Sequence, residues 1–161
     1  MAEAPDSPPR IFEIEFYEEG GRRPVLDWIK EDLTPIKRRA LGTAMRTVLQ
    51  VNGVAVCRSS WGKKVHAEGV YEFRLRMTGK AVINLEAEIH GISEADARAR
   101  FGGDRSEDIL LRVFFHPHGD RLILLLGGYD KGKDASAKRQ QAEIRLAASR
   151  LREFRRRPGA T

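Results

Sequence analysis

The sequence predicts an α+β domain, on three observations: several stretches alternate apolar and polar residues with a period of two, two neighbouring amphipathic stretches repeat near 3.6, and the last thirty residues form a long amphipathic, arginine-rich run. With 161 residues, 41% hydrophobic and 32% charged, the chain can bury one core. That balance is ordinary for a soluble globular protein. No apolar run approaches the roughly 20 residues a membrane helix needs, and residues 1–10 lack a signal-like pattern, so the expectation is a cytoplasmic protein that avoids membranes. Cys57 has no second cysteine to pair with, in keeping with a reducing compartment.

Taken in order, residues 1–9 are proline-bearing and aperiodic and read as a disordered lead-in to a single domain over 10–157. Residues 11–17 alternate, with Phe12, Ile14 and Phe16 on the face to be buried, and Gly20-Gly21 ends this first strand. Pro24 suits a first helical turn, and Val25, Ile29 and Leu33 form its apolar stripe. Thr34-Pro35 breaks the helix. A second one follows with Leu41, Ala44, Met45, Val48 and Val51 inward and is closed by Asn52-Gly53, giving a helical hairpin packed on a sheet.

Residues 54–60 read as a loop, and 61–66 as the approach to a short strand whose hairpin partner is 70–77. In that partner Tyr71, Phe73, Leu75 and Met77 point one way and Glu72, Arg74 and Arg76 the other, a charged row that either is solvated or grips phosphate. Residues 81–90 alternate as well, with Ile83, Leu85, Ala87 and Ile89 opposite Asn84, Glu86, Glu88 and His90, and are expected to form a strand. Ser93 and Asp96 have capping-box spacing for a short helix stopped by Gly102-Gly103. Four basic and six acidic residues between 79 and 107 argue against contact of this segment with nucleic acid.

Residues 109–116 form the next strand, Arg112 lying opposite Leu111 and Val113 in facing; 117–120 read as a turn. The unbroken apolar run 122–126 implies a central strand buried on both faces, running out into a loop that carries Tyr129, Asp130, Lys131 and Lys133. The closing helix has Ile144, Ala147, Ala148, Leu151 and Phe154 on one stripe. From Lys131 onward ten Lys/Arg stand against three acids; since the whole chain is +6, the rest is near neutral, and a basic segment on a neutral body suggests a polyanionic partner. His116 and His118 flank a proline and read as turn residues, His66 as a weak proton-transfer candidate, and Cys57 as an inert thiol.

The order of these features resembles the HigB branch of the RelE/ParE superfamily of bacterial toxin–antitoxin toxins. The resemblance rests on Phe16-Tyr17, Pro24-Val25-Leu26-Asp27-Trp28-Ile29, the strand Gly69-Val70-Tyr71-Glu72-Phe73-Arg74, then Leu111-Arg112-Val113-Phe114-Phe115, and Leu124-Leu125-Leu126-Gly127-Gly128-Tyr129-Asp130-Lys131 followed by a helix with Glu143-Ile144. It implies a RelE-like fold: a twisted, mostly antiparallel sheet with a two-helix hairpin on one face and a C-terminal helix. It also implies an mRNA endonuclease that needs no metal or other cofactor, works on the ribosome, inhibits translation and is held by a small helix-turn-helix antitoxin. Residues 78–108 depart from the pattern as a strand-helix insertion placed to shield or reshape the site. On the resemblance, Arg74 and Arg112 hold phosphate and transition-state charge, Tyr129 stacks on a base, and Asp130 or Lys131 moves protons. Lys63, Lys64, Arg76 and Lys133 are expected RNA-backbone contacts. Two other outcomes fit the same fold: a ParE-like inhibitor of DNA gyrase, and an RNA-binding module without cleavage.

Overall fold

A computed structural model describes residues 9–159; all of the predicted lead-in but Pro9 lies outside that range. The chain is α+β. Strand β1 (Glu13–Phe16) is followed by helix α1 (Pro24–Asp27), extended by one π turn (Trp28–Asp32). Helix α2 (Pro35–Ala44) likewise runs on through a π turn (Met45–Leu49) and a last turn (Gln50–Asn52). A 3-10 helix (Gly53–Arg58) occupies the expected loop, then come β2 (Gly62–Lys64), β3 (Tyr71–Thr78), α3 (Gly79–His90), α4 (Glu94–Phe101), β4 (Asp108–His118), β5 (Leu122–Asp130) and α5 (Ala137–Arg155). The five strands form one sheet in the order β1-β5-β4-β3-β2, antiparallel except for β1, which lies parallel to β5.

Strand alternation divides two cores between the faces of this sheet. Phe73, Leu75, Leu111, Val113, Phe115, Ile123 and Leu125 join Val25, Ile29, Leu41 and Leu49 of the helical hairpin. Phe114, Leu124, Leu126 and Tyr129 join Ile144, Ala147 and Leu151 of α5 on the other face. The apolar run of β5 is thus buried on both sides, as its lack of alternation predicts. At its end Gly128 is required by Trp28, whose ring carbons lie 2.5 Å from where a Cβ would stand.

Three sequence expectations are corrected. Residues 81–90 are not a strand but most of α3. Thr78 caps that helix by accepting from the Ala81 amide, and Gly91 closes it at φ +62, in the left-handed region. Its buried positions, Gly79, Val82, Ile83 and Glu86, follow helical spacing, and of the period-two residues only Ile83 is buried, Leu85, Ala87 and Ile89 being partly so. In α2, Leu49 is fully buried while Val48 and Val51 are only partly so, because the π turn advances the inward face by a residue. Finally, β4 continues through Pro117 and His118, which pair with Ile123 and Leu122, so the turn is confined to Gly119, Asp120 and Arg121.

The inserted segment is a helix pair packed on the hairpin face. Val82, Ile83 and Ala97 belong to the core that holds α1 and α2, and Ser93 caps α4 by accepting from the Asp96 amide at 3.0 Å.

Candidate functional site

The register of three strands sets Arg74, Arg112 and Tyr129 in one row on the face opposite the hairpin. Arg74 pairs with Arg112 across β3 and β4, and Arg112 with Tyr129 across β4 and β5. Two guanidiniums side by side repel, and Glu72, two residues before Arg74 and hence on the same face, balances them. Its carboxylate Oε1 lies 3.3 Å from Arg74 Nε and 3.5 Å from Arg112 Nε, while Oε2 accepts from Gln140 Nε2 at 3.2 Å. The contacts of Oε1 are ion pairs without directed hydrogen bonds. Glu72 is fully buried, so this is a built charge cluster and not a solvated row.

Arg112 is 5% exposed and donates from Nη1 to the carbonyls of Leu111 (3.1 Å) and Leu75 (3.5 Å). Burial pushes its guanidinium below its ordinary pKa; the Glu72 carboxylate opposes that and Arg74 adds to it. Arg74 is about a third exposed and bridges between this buried centre and solvent. Together with Arg76, Ser60 and Trp61, the two arginines line an open cavity of about 340 Å³. Trp61 is held there by stacking on Phe73, centroids 5.8 Å apart, and its carbonyl accepts from the Arg74 amide at 2.7 Å. No residue of the insertion lines this cavity, since the insertion occupies the other face.

No family model matches the chain, and comparison with the curated proteins and with the solved structures yields no match. The site is defined by its strand register and its charge cluster.

That geometry separates the predicted residues. Lys131, just past β5, is partly exposed beside the cluster. Burial lowers its pKa, and the charges of Arg112, Arg74 and Lys63 lower it further against the pull of Glu72. Lys63 sits opposite Glu72 in the β2–β3 register and shares the face, whereas Lys64 pairs with Tyr71 and falls on the other. Lys133 is exposed in the turn that follows β5. Asp130 does not join the site: it is turned to the hairpin face, where its Oδ2 accepts from Lys37 Nζ at 2.7 Å and Oδ1 from the Gly132 amide at 3.0 Å. Tyr129 is in the row, yet at 1% exposure it cannot stack on a base. Its ring is parallel to that of Phe114, with centroids 6.2 Å apart, and the Arg139 guanidinium of α5 lies 5.4 Å from its centre. Burial raises the pKa of its hydroxyl, and the nearby Glu72 raises it further.

Sequence reasoning missed Trp61 and Gln140 as members of the site. The Trp-Gly pair before β2 was a usable signal for the first; nothing in an arginine-rich helix distinguishes the second. His116 is occupied by the Gly69 carbonyl at 2.6 Å from Nδ1, and His118 packs edge-on against Phe154.

Proposed function

We propose that this protein is a toxin of the HigB branch of the RelE/ParE superfamily, an endoribonuclease that cuts mRNA on the ribosome in the cytoplasm and is restrained by a small antitoxin. The observation that carries the reading is the pairing of Arg74 with Arg112 at a cavity shared with Arg76 and Trp61. Planar forks of donors on neighbouring strands suit a phosphodiester, and they stabilise the extra negative charge that grows on the phosphoryl oxygens as the 2′-oxygen attacks. Trp61, partly exposed on the wall of the cavity, is the aromatic residue available there to a flanking base, the role that buried Tyr129 cannot fill. In such a reaction the 2′-hydroxyl gives its proton to water as its oxygen bonds to phosphorus, the bond to the 5′-oxygen breaks, and the leaving oxygen takes up a proton. In this reading Lys131 supplies it, an ammonium whose pKa is lowered first by burial and then by the charge of Arg112. The Glu72 carboxylate acts as a positioning group that holds both guanidiniums at one height on the sheet.

One observation favours a second reading, an RNA-binding module without cleavage: of the three loop residues expected to take part, Asp130 and Tyr129 are withdrawn, which leaves Lys131 alone. Induced expression separates the two. The endonuclease arrests growth, leaves cleavage ends inside translated codons by primer extension, and loses both effects with Arg74→Ala. Full arrest with intact transcripts overturns it.

A further inference from the structure

On the hairpin face the insertion creates a second basic site. Its Arg100 and Phe101 meet Arg38, Arg39 and Arg46 of α2 around an open cavity of about 440 Å³, with Pro35 at the first turn of that helix also on its wall. No carboxylate lines it. We propose that this groove between α2 and α4 binds the phosphate backbone of a nucleic acid, at a place separate from the Arg74–Arg112 cavity and independent of the chemistry assigned there.

The guanidiniums are held rather than floppy. Arg39 lies over the Phe101 ring at 4.3 Å and Arg100 at 5.3 Å. Stacking fixes the plane of each fork and so reduces the entropy lost when an anion docks. Arg38 is anchored through the carbonyls of Ile29, Lys30 and Leu33, so its charge meets oxygen dipoles and not a carboxylate. Thr34 provides no side-chain cap to α2, and the positive end of that helix adds to the field near Pro35.

The acidic excess of residues 79–107, which in the sequence argued against nucleic acid here, is largely spent within the fold. Glu86 is 1% exposed, accepts from Thr43 and lies 3.2 Å from Arg39 Nε and 3.3 Å from His90. Glu94 pairs with Arg105 at 2.9 Å and Glu107 with Lys37 at 3.5 Å. What reaches the groove from the insertion is Arg100 and Phe101.

A polyphosphate backbone fits better than an acidic protein segment. Protein interfaces centre on exposed apolar anchors, and this groove has none beyond Pro35 and a Phe101 ring already covered by arginines; nucleic-acid interfaces are polar and strongly cationic.

The test is fluorescence anisotropy of a labelled, uncleavable 2′-O-methyl RNA titrated with the full chain at several salt concentrations. Arg39 and Arg38 hold neighbouring elements and are left alone; the variant is Arg46→Gln with Arg100→Gln, its urea midpoint measured alongside because Arg46 also donates to Thr43 Oγ1 at 3.3 Å, and Arg46→Lys with Arg100→Lys is the charge-keeping control. Loss of two phosphate contacts is expected to lower the salt slope by about 1.4 for a single strand, with affinity falling in parallel, while the lysine pair keeps the slope. Unchanged slope and affinity in the glutamine pair overturn the proposal. So does displacement of the RNA from the wild type by an oligoglutamate peptide at equal charge, which assigns the groove to an acidic protein partner. Cleavage that survives the glutamine pair, or is absent from the wild type, bears only on the other face.

Discussion

The carboxylate of Glu72 lies within 3.5 Å of the Nε atoms of both Arg74 and Arg112, which face each other directly across β3 and β4. One buried anion therefore holds two cations that would otherwise repel at the centre of the sheet.

Glu72→Gln keeps the shape but removes the charge. Arg112, 5% exposed, is then a buried cation without its counter-ion, and truncating one partner of a buried pair costs about 3–5 kcal/mol. Urea unfolding is expected to show a loss at the lower end of that range, because Arg74 is partly solvated and Gln can still meet Gln140. Arg74→Ala, by contrast, is expected to change stability by less than about 1 kcal/mol. If Glu72→Gln unfolds at the wild-type midpoint, the cluster is not the structural unit described.

Asp130 and Lys37 make the corresponding test on the other face. Their side chains are 7% and 9% exposed and 2.7 Å apart, and the Lys37 pKa is raised: burial opposes its charge, but the bond and charge of Asp130 and the charge of Glu107 outweigh it. Asp130→Asn is expected to lower stability by about 3 kcal/mol while leaving RNA affinity at the Arg74–Arg112 cavity within a factor of two at a temperature where the variant stays folded. Equilibrium unfolding and anisotropy measure the two effects separately. A large fall in affinity with little loss of stability would return Asp130 to the site.

The contrast between Tyr129 and Asp130 explains how far the sequence could be read. Strand alternation placed Arg74, Arg112 and the buried run of β5 on their faces, because period two leaves no choice once one face is apolar. The loop after β5 looked like one functional cluster because its residues are adjacent, but β5 extends through Asp130, so Tyr129 and Asp130 point to opposite faces. Whether a side chain finds Lys37 or Glu72 depends on packing between elements distant in sequence. The insertion failed for a different reason: in 81–90 the residues fit both periods, and Thr78 and Gly91, which decide for helix, lie outside the window.

Tyr17 gives a stability signature in alkali. Its hydroxyl donates to Glu153 Oε2 at 2.6 Å and its pKa is raised to about 12, first by burial and then by Glu153. Below the ordinary tyrosine value near 10 both folded and unfolded forms are protonated, and this contact is fully present. Between about pH 10 and 12 the unfolded chain loses the proton first, so stability falls as pH rises. Tyr17→Phe is expected to be less stable at neutral pH and to show a shallower decline across that window, followed by denaturant midpoints from pH 8 to 12. An equally steep decline in the variant would assign the alkaline loss to another group.

In the proposed reaction Lys131 gives cleavage a pH dependence. Its ammonium is acidified by burial and by Arg112, Arg74 and Lys63, so it loses its proton at a lower pH than an ordinary lysine. A proton donor in that state fails as pH rises through its lowered pKa, and single-turnover cleavage on programmed ribosomes is expected to decline on an alkaline limb below the usual lysine range. Arg74→Gln removes one repelling cation and should move that limb upward, besides lowering the rate. Lys131→Met should abolish the limb together with most of the rate, by about 10²-fold or more, with RNA affinity reduced far less. Cleavage by Lys131→Met at the wild-type rate and with the same pH profile would remove Lys131 from the reaction.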